Sequence, residues 1–139
     1  MPIPVRVVSV EASLFEGEAD FVLATGAEGE LGILPHHAPL LTTLAPGPLR
    51  IDHGGQSEEI FVGGGFLEVL PERVTVLADV AERAEEISED RAEQARRQIQ
   101  ERLSEARELS PQERLDMEAA LAMAEARLRM ARMRRGSGR

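Results

Sequence analysis

Few residues in this chain could do chemistry, and their spacing argues against most reactions. The histidines are His36, His37 and His53, and there is no cysteine, which excludes disulfides and thiolate metal sites. His36 and His37 are neighbours in a Pro-bounded loop, where side chains on extended backbone diverge, and His53 belongs to a distant Gly-rich turn. We expect no metal site and read the histidines as surface or interface groups. No segment resembles a nucleophile elbow, and the chain has no lysine to complete a phosphate-binding loop. Gly63-Gly64-Gly65 is the sharpest glycine feature. A phosphate cradle would have to open a helix, whereas Phe66 to Leu70 reads as a strand, so a close backbone crossing or a bulge is the better reading. Glu28-Gly29-Glu30 places two acids beside a glycine turn, equally a solvated turn and a contact surface. No catalytic constellation emerges, so we expect a protein that binds partners and is not itself an enzyme.

The elements that must carry these residues fall into two halves. With 139 residues and 42% apolar content, one or two small domains with modest cores are expected. Up to about residue 80, short runs rich in Val, Ile and Leu are bounded by Gly or Pro. Val5 to Val10, Asp20 to Ala24, Pro48 to Ile51, Glu59 to Val62, Phe66 to Leu70 and Val74 to Ala78 read as strands. Turns at His53-Gly54-Gly55-Gln56 and Pro71-Glu72-Arg73 give two hairpins, and the spacing suggests a sandwich or a barrel. Near residue 86 the character changes. Ser88 is a helix cap followed by Glu89 and Asp90, and Ala92, Ala95, Ile99, Leu103 and Ala106 form one narrow stripe, with Glu93 set to pair with Arg97. Ser110-Pro111-Gln112-Glu113 combines a capping box with Pro at the first helical position. Ala119, Ala120, Ala122, Ala124 and Ala126 then let a second helix approach closely. The result is a compact hairpin of two helices, each roughly 30 to 36 Å long, held by small side chains that permit opening at modest cost.

The charge is also divided. Residues 127 to 139 hold six arginines and no acid, so the rest of the chain carries −15 against a total of −9. An acidic body excludes general nucleic-acid binding. All sixteen cations are arginine, which fits either a coding bias or a tip that pairs with carboxylates of a protein surface. No apolar run of about 18 residues and no secretory layout is present, so the expectation is a soluble protein of the cytoplasm.

The stretch Glu28-Gly29-Glu30-Leu31-Gly32-Ile33-Leu34-Pro35-His36-His37-Ala38-Pro39-Leu40-Leu41-Thr42 closely resembles the epsilon-subunit signature of bacterial and chloroplast F-type ATP synthases, written EGELGILPGHAPLLT. Gly64-Gly65-Phe66-Leu67-Glu68-Val69, Val74 to Asp79 and Ala81 to Glu85 follow in that family's order and spacing, so the resemblance covers essentially the whole chain. His36 departs from it, standing where the family commonly has Gly.

The resemblance implies an α+β protein with an N-terminal β-sandwich of about ten strands over residues 1–86. A C-terminal antiparallel two-helix hairpin over 87–135 and a disordered tail at 136–139 would follow. It implies a non-catalytic central-stalk subunit of the rotor, coupling ion flow through the membrane ring to ATP synthesis, peripheral at the cytoplasmic face of the cell membrane. The sandwich would bind the gamma subunit and rest on the c-subunit ring through Glu28, Glu30 and His37. The hairpin would extend to the beta subunit, where Arg127, Arg129, Arg132, Arg134 and Arg135 oppose ATP hydrolysis; a solvated basic terminus is the plainer reading of the same cluster. Some relatives bind ATP through I/L-D-x-x-R-A. Here Ile87, Arg91 and Ala92 match, with Glu82 and Arg127 at comparable positions, but Ser88 replaces the Asp, and Gln98 and Met123 stand where nucleotide-binding relatives have arginines. ATP binding is therefore expected to be weak or absent, with no cofactor. Two other readings are a nucleotide sensor, and a free-standing sandwich that binds a ligand and dimerises through its helices. Four Phe and no Trp or Tyr give the last little to build a ligand face with.

Overall fold

The computed structural model describes residues 1–105 and 108–137, the side chains of 135–137 excepted. The chain divides into two compact units, Met1–Ala84 and Glu85–Arg139.

The first unit contains β1 (Ile3–Ser9), β2 (Ser13–Ala19), β3 (Phe21–Gly26), β4 (Gly29–Ile33), β5 (Leu40–His53), β6 (Gln56–Leu70), β7 (Arg73–Ala78) and β8 (Ala81–Arg83). The sheet runs β2-β1-β7-β6-β5-β3-β4, with β8 added to β6. All pairs are antiparallel except β1 with β7. In β1, Ile3, Val5 and Val7 are buried while Pro4 and Arg6 are exposed, the alternation of a strand with one face in a core. Val74 and Val76 of β7 and Leu67 and Val69 of β6 continue that inner face.

β5 and β6 are long because they turn a corner together. Pro46 and Pro48 of β5 stand opposite Gly63 and Phe61 of β6, and Leu44 stands opposite Gly65. β3 pairs with β5 at Phe21 to Leu23, lets go, and pairs again at Gly26 with Leu44. The two prolines have no N–H to give β3, so no ladder bond is lost where the strands part. Instead, the Thr25 hydroxyl donates to the Pro48 carbonyl at 2.9 Å. On β6 the bend is accommodated by Gly64 (φ 95°) and Gly65 (φ 130°), conformations that side chains rarely adopt. Before the corner, β6 pairs with β8 through Ile60 to Val62, whereas from Gly65 to Leu70 it pairs with β7. Eight strands therefore do the work expected of about ten, because β5 and β6 each serve both layers of the sandwich. The β5–β6 turn has Gly54 and Gly55 at φ 59° and 80°, as a two-residue hairpin of the favoured twist requires.

The second unit begins with a 3-10 turn, Glu85 and Glu86 following Ala84, and contains α1 (Glu89–Glu105) and α2 (Pro111–Ser137). The Ser88 hydroxyl accepts the Arg91 N–H at 3.3 Å, and the Ser88 carbonyl accepts that of Ala92 at 3.0 Å. At α2 the Glu113 N–H donates to the Ser110 hydroxyl (3.1 Å) while the Ser110 N–H donates to the Glu113 carboxylate (3.2 Å), a reciprocal cap. The helices are antiparallel, since Arg132 near the end of α2 meets Glu89 at the start of α1.

Three expectations need correction here. The helices are unequal, about 25 and 40 Å at 1.5 Å per residue. Gly136 and Ser137 extend α2 past the expected boundary at 135; residues 138–139 lie outside the described residues. The alanine seam is confined to the second half of α2. Ala119, Ala120 and Ala122 are exposed, whereas Ala124, Ala126, Leu128, Met130 and Ala131 are buried. On α1 Ala92 is buried, Ala95, Ile99 and Leu103 are half-buried, and Ala106 lies outside the described residues.

Candidate partner-binding surfaces

On its outer face the sandwich carries an apolar row. The pairing places Thr43, Phe66, Leu77 and Val8 side by side across β5, β6, β7 and β1. Phe66 is 50% and Leu77 52% exposed, and Leu41, one step along β5 on the same face, is 69% exposed. The alternating neighbours Leu67, Val76 and Val7 fill the core, so strand period alone aims this second apolar set at solvent. Exposed apolar patches on a sheet, where they are large, mark interaction sites on proteins. Sequence reasoning missed it, because Phe66 and Leu77 have the residue types of a core.

The acidic residues sit elsewhere. β3 and β4 close as a tight hairpin with Ala27 and Glu28 at its tip, and the Ala27 N–H donates to the Thr43 carbonyl at 3.1 Å. Glu28 and Glu30 are exposed and border a shallow depression of about 330 Å³ floored by Leu31, Leu40 and Thr42. His37 lies past the other end of β4, which is about 13 Å long. It closes a turn in which its N–H donates to the Leu34 carbonyl at 3.1 Å, and its ring Nδ1 lies 2.7 Å from the Ala38 carbonyl. The three residues assigned to one ring-facing loop are thus divided, with Glu28 and Glu30 together and His37 apart. Pro35 and His36 are the central residues of that turn, and His36 has φ 70°. A turn with Pro first and a positive φ second favours Gly at the second place, which is why His36 is the unusual residue of this stretch.

On α2 the cluster does not form one stripe. At about 100° per residue, Arg129 and Arg132 share one side and Arg127 and Arg134 the opposite side, with Arg135 between; its side chain lies outside the description. Arg127 is half-buried, and Arg129, Arg132 and Arg134 are exposed. Arg132 reaches across to α1, Nη2 donating to Glu93 at 3.2 Å and Nε lying 3.5 Å from Glu89. Glu93 also accepts a two-pronged bond from Arg96 (2.6 and 3.2 Å) and a third partner, Arg97, at 3.1 Å. These bonds, Arg96 foremost, hold the Glu93 carboxyl down to about 2 from an ordinary 4.5, and Glu93 in turn pushes Arg96 up.

For a nucleotide, Ile87 is half-buried, Arg91 is exposed on α1, Ala92 is buried and Arg127 lies on α2, while Glu82 belongs to β8 of the first unit. Ser88, at the place of the pattern's Asp, caps its own helix. Among the described residues no group of three or more acids or histidines is placed to hold a metal, and no helix is long and apolar enough to cross a membrane.

A sandwich with an exposed apolar row, an acidic hairpin tip and an arginine-rich helical hairpin defines a class: a small subunit built to dock on other proteins. A family model described as the beta-sandwich domain of the ATP synthase delta/epsilon chain matches residues 2–84. The chain is 57% identical over 104 residues to the ATP synthase epsilon chain of Acidithiobacillus ferridurans, covering 75% of this chain and 74% of that one. It is 47% identical over 135 residues to that of Herpetosiphon aurantiacus, covering 97% and 98%. The chain belongs to the ATP synthase epsilon chain family and is a non-catalytic subunit. Its fold recurs in cryo-EM structures of two mitochondrial ATP synthases. For Euglena gracilis (OSCP/F1/c-ring) the TM-score is 0.77 at 23% identity, over 90% of this chain and 78% of that one. For Tetrahymena thermophila (central stalk/c-ring) it is 0.71 at 14%, over 94% and 97%.

Proposed function

We propose that the chain is a rotor subunit of the central stalk, coupling ion flow through the membrane ring to ATP synthesis from the cytoplasmic face of the cell membrane. The observation that carries this reading is the exposed row Val8–Leu77–Phe66 with Leu41. In a unit whose core is otherwise closed, this row is the surface that a gamma subunit would cover. The acidic tip at Glu28 and Glu30 supplies a polar contact to the c-subunit ring, with His37 contributing from a separate turn. Exposed ion pairs contribute about 0 to 1 kcal/mol each, so that contact depends on area. The assemblies that contain the two structural neighbours, F1 with c-ring and central stalk with c-ring, support the same reading.

The hairpin is the regulatory part. Extended toward the catalytic head, it would present Arg127, Arg129, Arg132, Arg134 and Arg135 to an acidic segment of the beta subunit and restrain hydrolysis, an effect that salt should weaken. ATP binding is weak or absent, because Ser88 is committed to its own helix and only Arg91 and Arg127 offer cations; a micromolar affinity by calorimetry would overturn this. The deciding experiment titrates an epsilon-depleted catalytic head containing gamma with the full chain and with a truncation ending at Glu86. Binding by both, with suppression of hydrolysis only by the full chain, supports the assignment. Failure of both to bind cognate gamma refutes it.

A further inference from the structure

We propose that Arg132 and the Glu93–Glu89 carboxylates form a latch on the hairpin, so that Arg132 must leave these carboxylates before it can serve a partner. Its consequence for hydrolysis rests on the inhibitory reading above; the latch itself rests on geometry within the second unit.

Glu89 and Glu93 are four residues apart on α1 and therefore share a face. Arg132 spans both, at 3.5 Å from Glu89 and 3.2 Å from Glu93. The carboxylates are 27% and 21% exposed and Arg132 is 52% exposed, so the contact remains open to screening by salt. Glu93 is also already in position. The fork of Arg96 and the Nε of Arg97 fix its carboxylate, so Arg132 docks on a preorganised acceptor and little side-chain freedom is lost on the α1 side. The contact lies at the end of the hairpin away from the connecting turn, joining the first turns of α1 to the last turns of α2. A bond there opposes separation of the helices most directly, because the connecting turn already tethers the other end. The seam it reinforces is thin, with Ala92 the only buried residue of α1. Arg132 also belongs to the cluster assigned to the beta subunit. Closing the hairpin and contacting a partner therefore compete for one guanidinium.

The test compares the full chain with Arg132→Gln by hydrogen exchange and mass spectrometry. Arg132→Gln removes the cross-helix cation and leaves the Arg96 and Arg97 bonds to Glu93 in place. The expected result is exchange about 3-fold faster in segments 89–95 and 126–134, the size an ion pair of this exposure supports. Salt provides the second signature: about 0.5 M NaCl should bring the unaltered chain close to the variant's rate and move the variant itself much less, since only the Arg96 and Arg97 pairs to Glu93 are left to screen. Arg114→Gln, in the exposed start of α2, should change neither. Exchange unchanged by Arg132→Gln, or equally salt-sensitive in both proteins, overturns the latch. In the reassembled complex, Glu93→Gln, which frees the hairpin but keeps every arginine of the cluster, should deepen inhibition. Arg132→Gln, which frees it but loses a cluster cation, should not. If exchange accelerates as expected and neither variant changes hydrolysis, the latch stands and the inhibitory reading falls.

Discussion

Replacing Gly65 by Ala tests the corner on which both layers of the sandwich depend. An added Cβ would lie 2.1 Å from the Leu77 carbonyl oxygen, 2.9 Å from Ala78 Cα and 3.1 Å from the Asp79 nitrogen. The first distance is about 1 Å short of an ordinary C···O contact, and all three atoms are backbone, so β7 must move. Moving it strains the pairing of Gly65 with Ala78 and the flanking bonds from the Asp79 N–H to the Gly64 carbonyl (3.0 Å) and from the Gly63 N–H to the Val80 carbonyl (2.7 Å). A buried group left without its partner costs about 1 to 3 kcal/mol. The φ of 130° is in a region used almost only by Gly, costing another 1 to 3 kcal/mol or so. The expected loss is about 3 to 5 kcal/mol, most of the stability of a unit this size, and a fall in Tm of roughly 15 to 30 °C. Without Trp or Tyr in the chain, urea and thermal unfolding are best followed by far-UV circular dichroism. Gly55→Ala is the control, since its φ is 80° but nothing lies within 4 Å of the added atom, and it should cost about 1 kcal/mol. If Gly65→Ala costs no more than Gly55→Ala, the argument for a sterically closed corner is wrong.

Phe66→Ser and Leu77→Ser should each weaken binding to cognate gamma about 10-fold or more, with little change in unfolding temperature, because both side chains are half exposed in the isolated chain; calorimetric titration and melting curves separate the effects. His36→Gly should raise stability by about 1 kcal/mol, since it removes the Cβ from a left-handed conformation, and a lower urea midpoint would contradict the turn geometry. Glu93 is held well below its ordinary value by Arg96 and Arg97 of its own helix, so its ionised form favours the folded α1. That contribution should be complete above about pH 5, begin to fall as pH drops past 4.5 and vanish near the folded value of about 2. Helical ellipticity of Glu93→Gln should accordingly lose this acid dependence, and an identical acid titration in both proteins would count against the network.

What could be read from the sequence was local, and what could not was long-range. Ser88 and Ser110 announced both helix starts because capping uses residues three or four apart, and the Glu93–Arg97 pair was legible for the same reason. The glycine triplet was legible as a close crossing or a bulge, although it lies within β6 rather than before a strand. β2, Ser13–Ala19, escaped notice because Glu16 and Glu18 dominate its composition and Leu14 and Ala19 are its only buried positions. β5 was cut at Pro48 because proline normally ends a strand; here the missing N–H falls where β3 has already parted. Glu28, Glu30 and His37 are close in sequence, yet the acids sit at the start of β4 and His37 lies past its end. Arg132 meeting Glu93 depends on the register of two helices across a turn, which no single-helix period encodes.

The composition of the hairpin explains how a few charges can govern it. A closed and an open state can be exchanged by a partner only to the extent that the partner's contacts differ between them. Each Leu or Ile buried in a seam would favour closure by about 2 kcal/mol, some 30-fold, whereas an exposed ion pair shifts an equilibrium about 5-fold at most. A seam filled by such residues would leave carboxylates on another subunit unable to compete. On α1 the seam instead has Ala92 as its buried residue, with Ala95, Ile99 and Leu103 only half-covered, while on α2 Leu128 is the one buried Leu and the early turns are exposed almost throughout. Closure is then weak enough for electrostatics to count, and the Arg132 contact across the seam uses an arginine of the very cluster that a partner would seek. The sandwich shows the opposite design: its core contains no buried polar or charged side chain among the described residues, so salt and pH reach it only through surface pairs such as Arg50–Asp52 and His53–Asp20. Ionic conditions should therefore move the hairpin and leave the docking row in place.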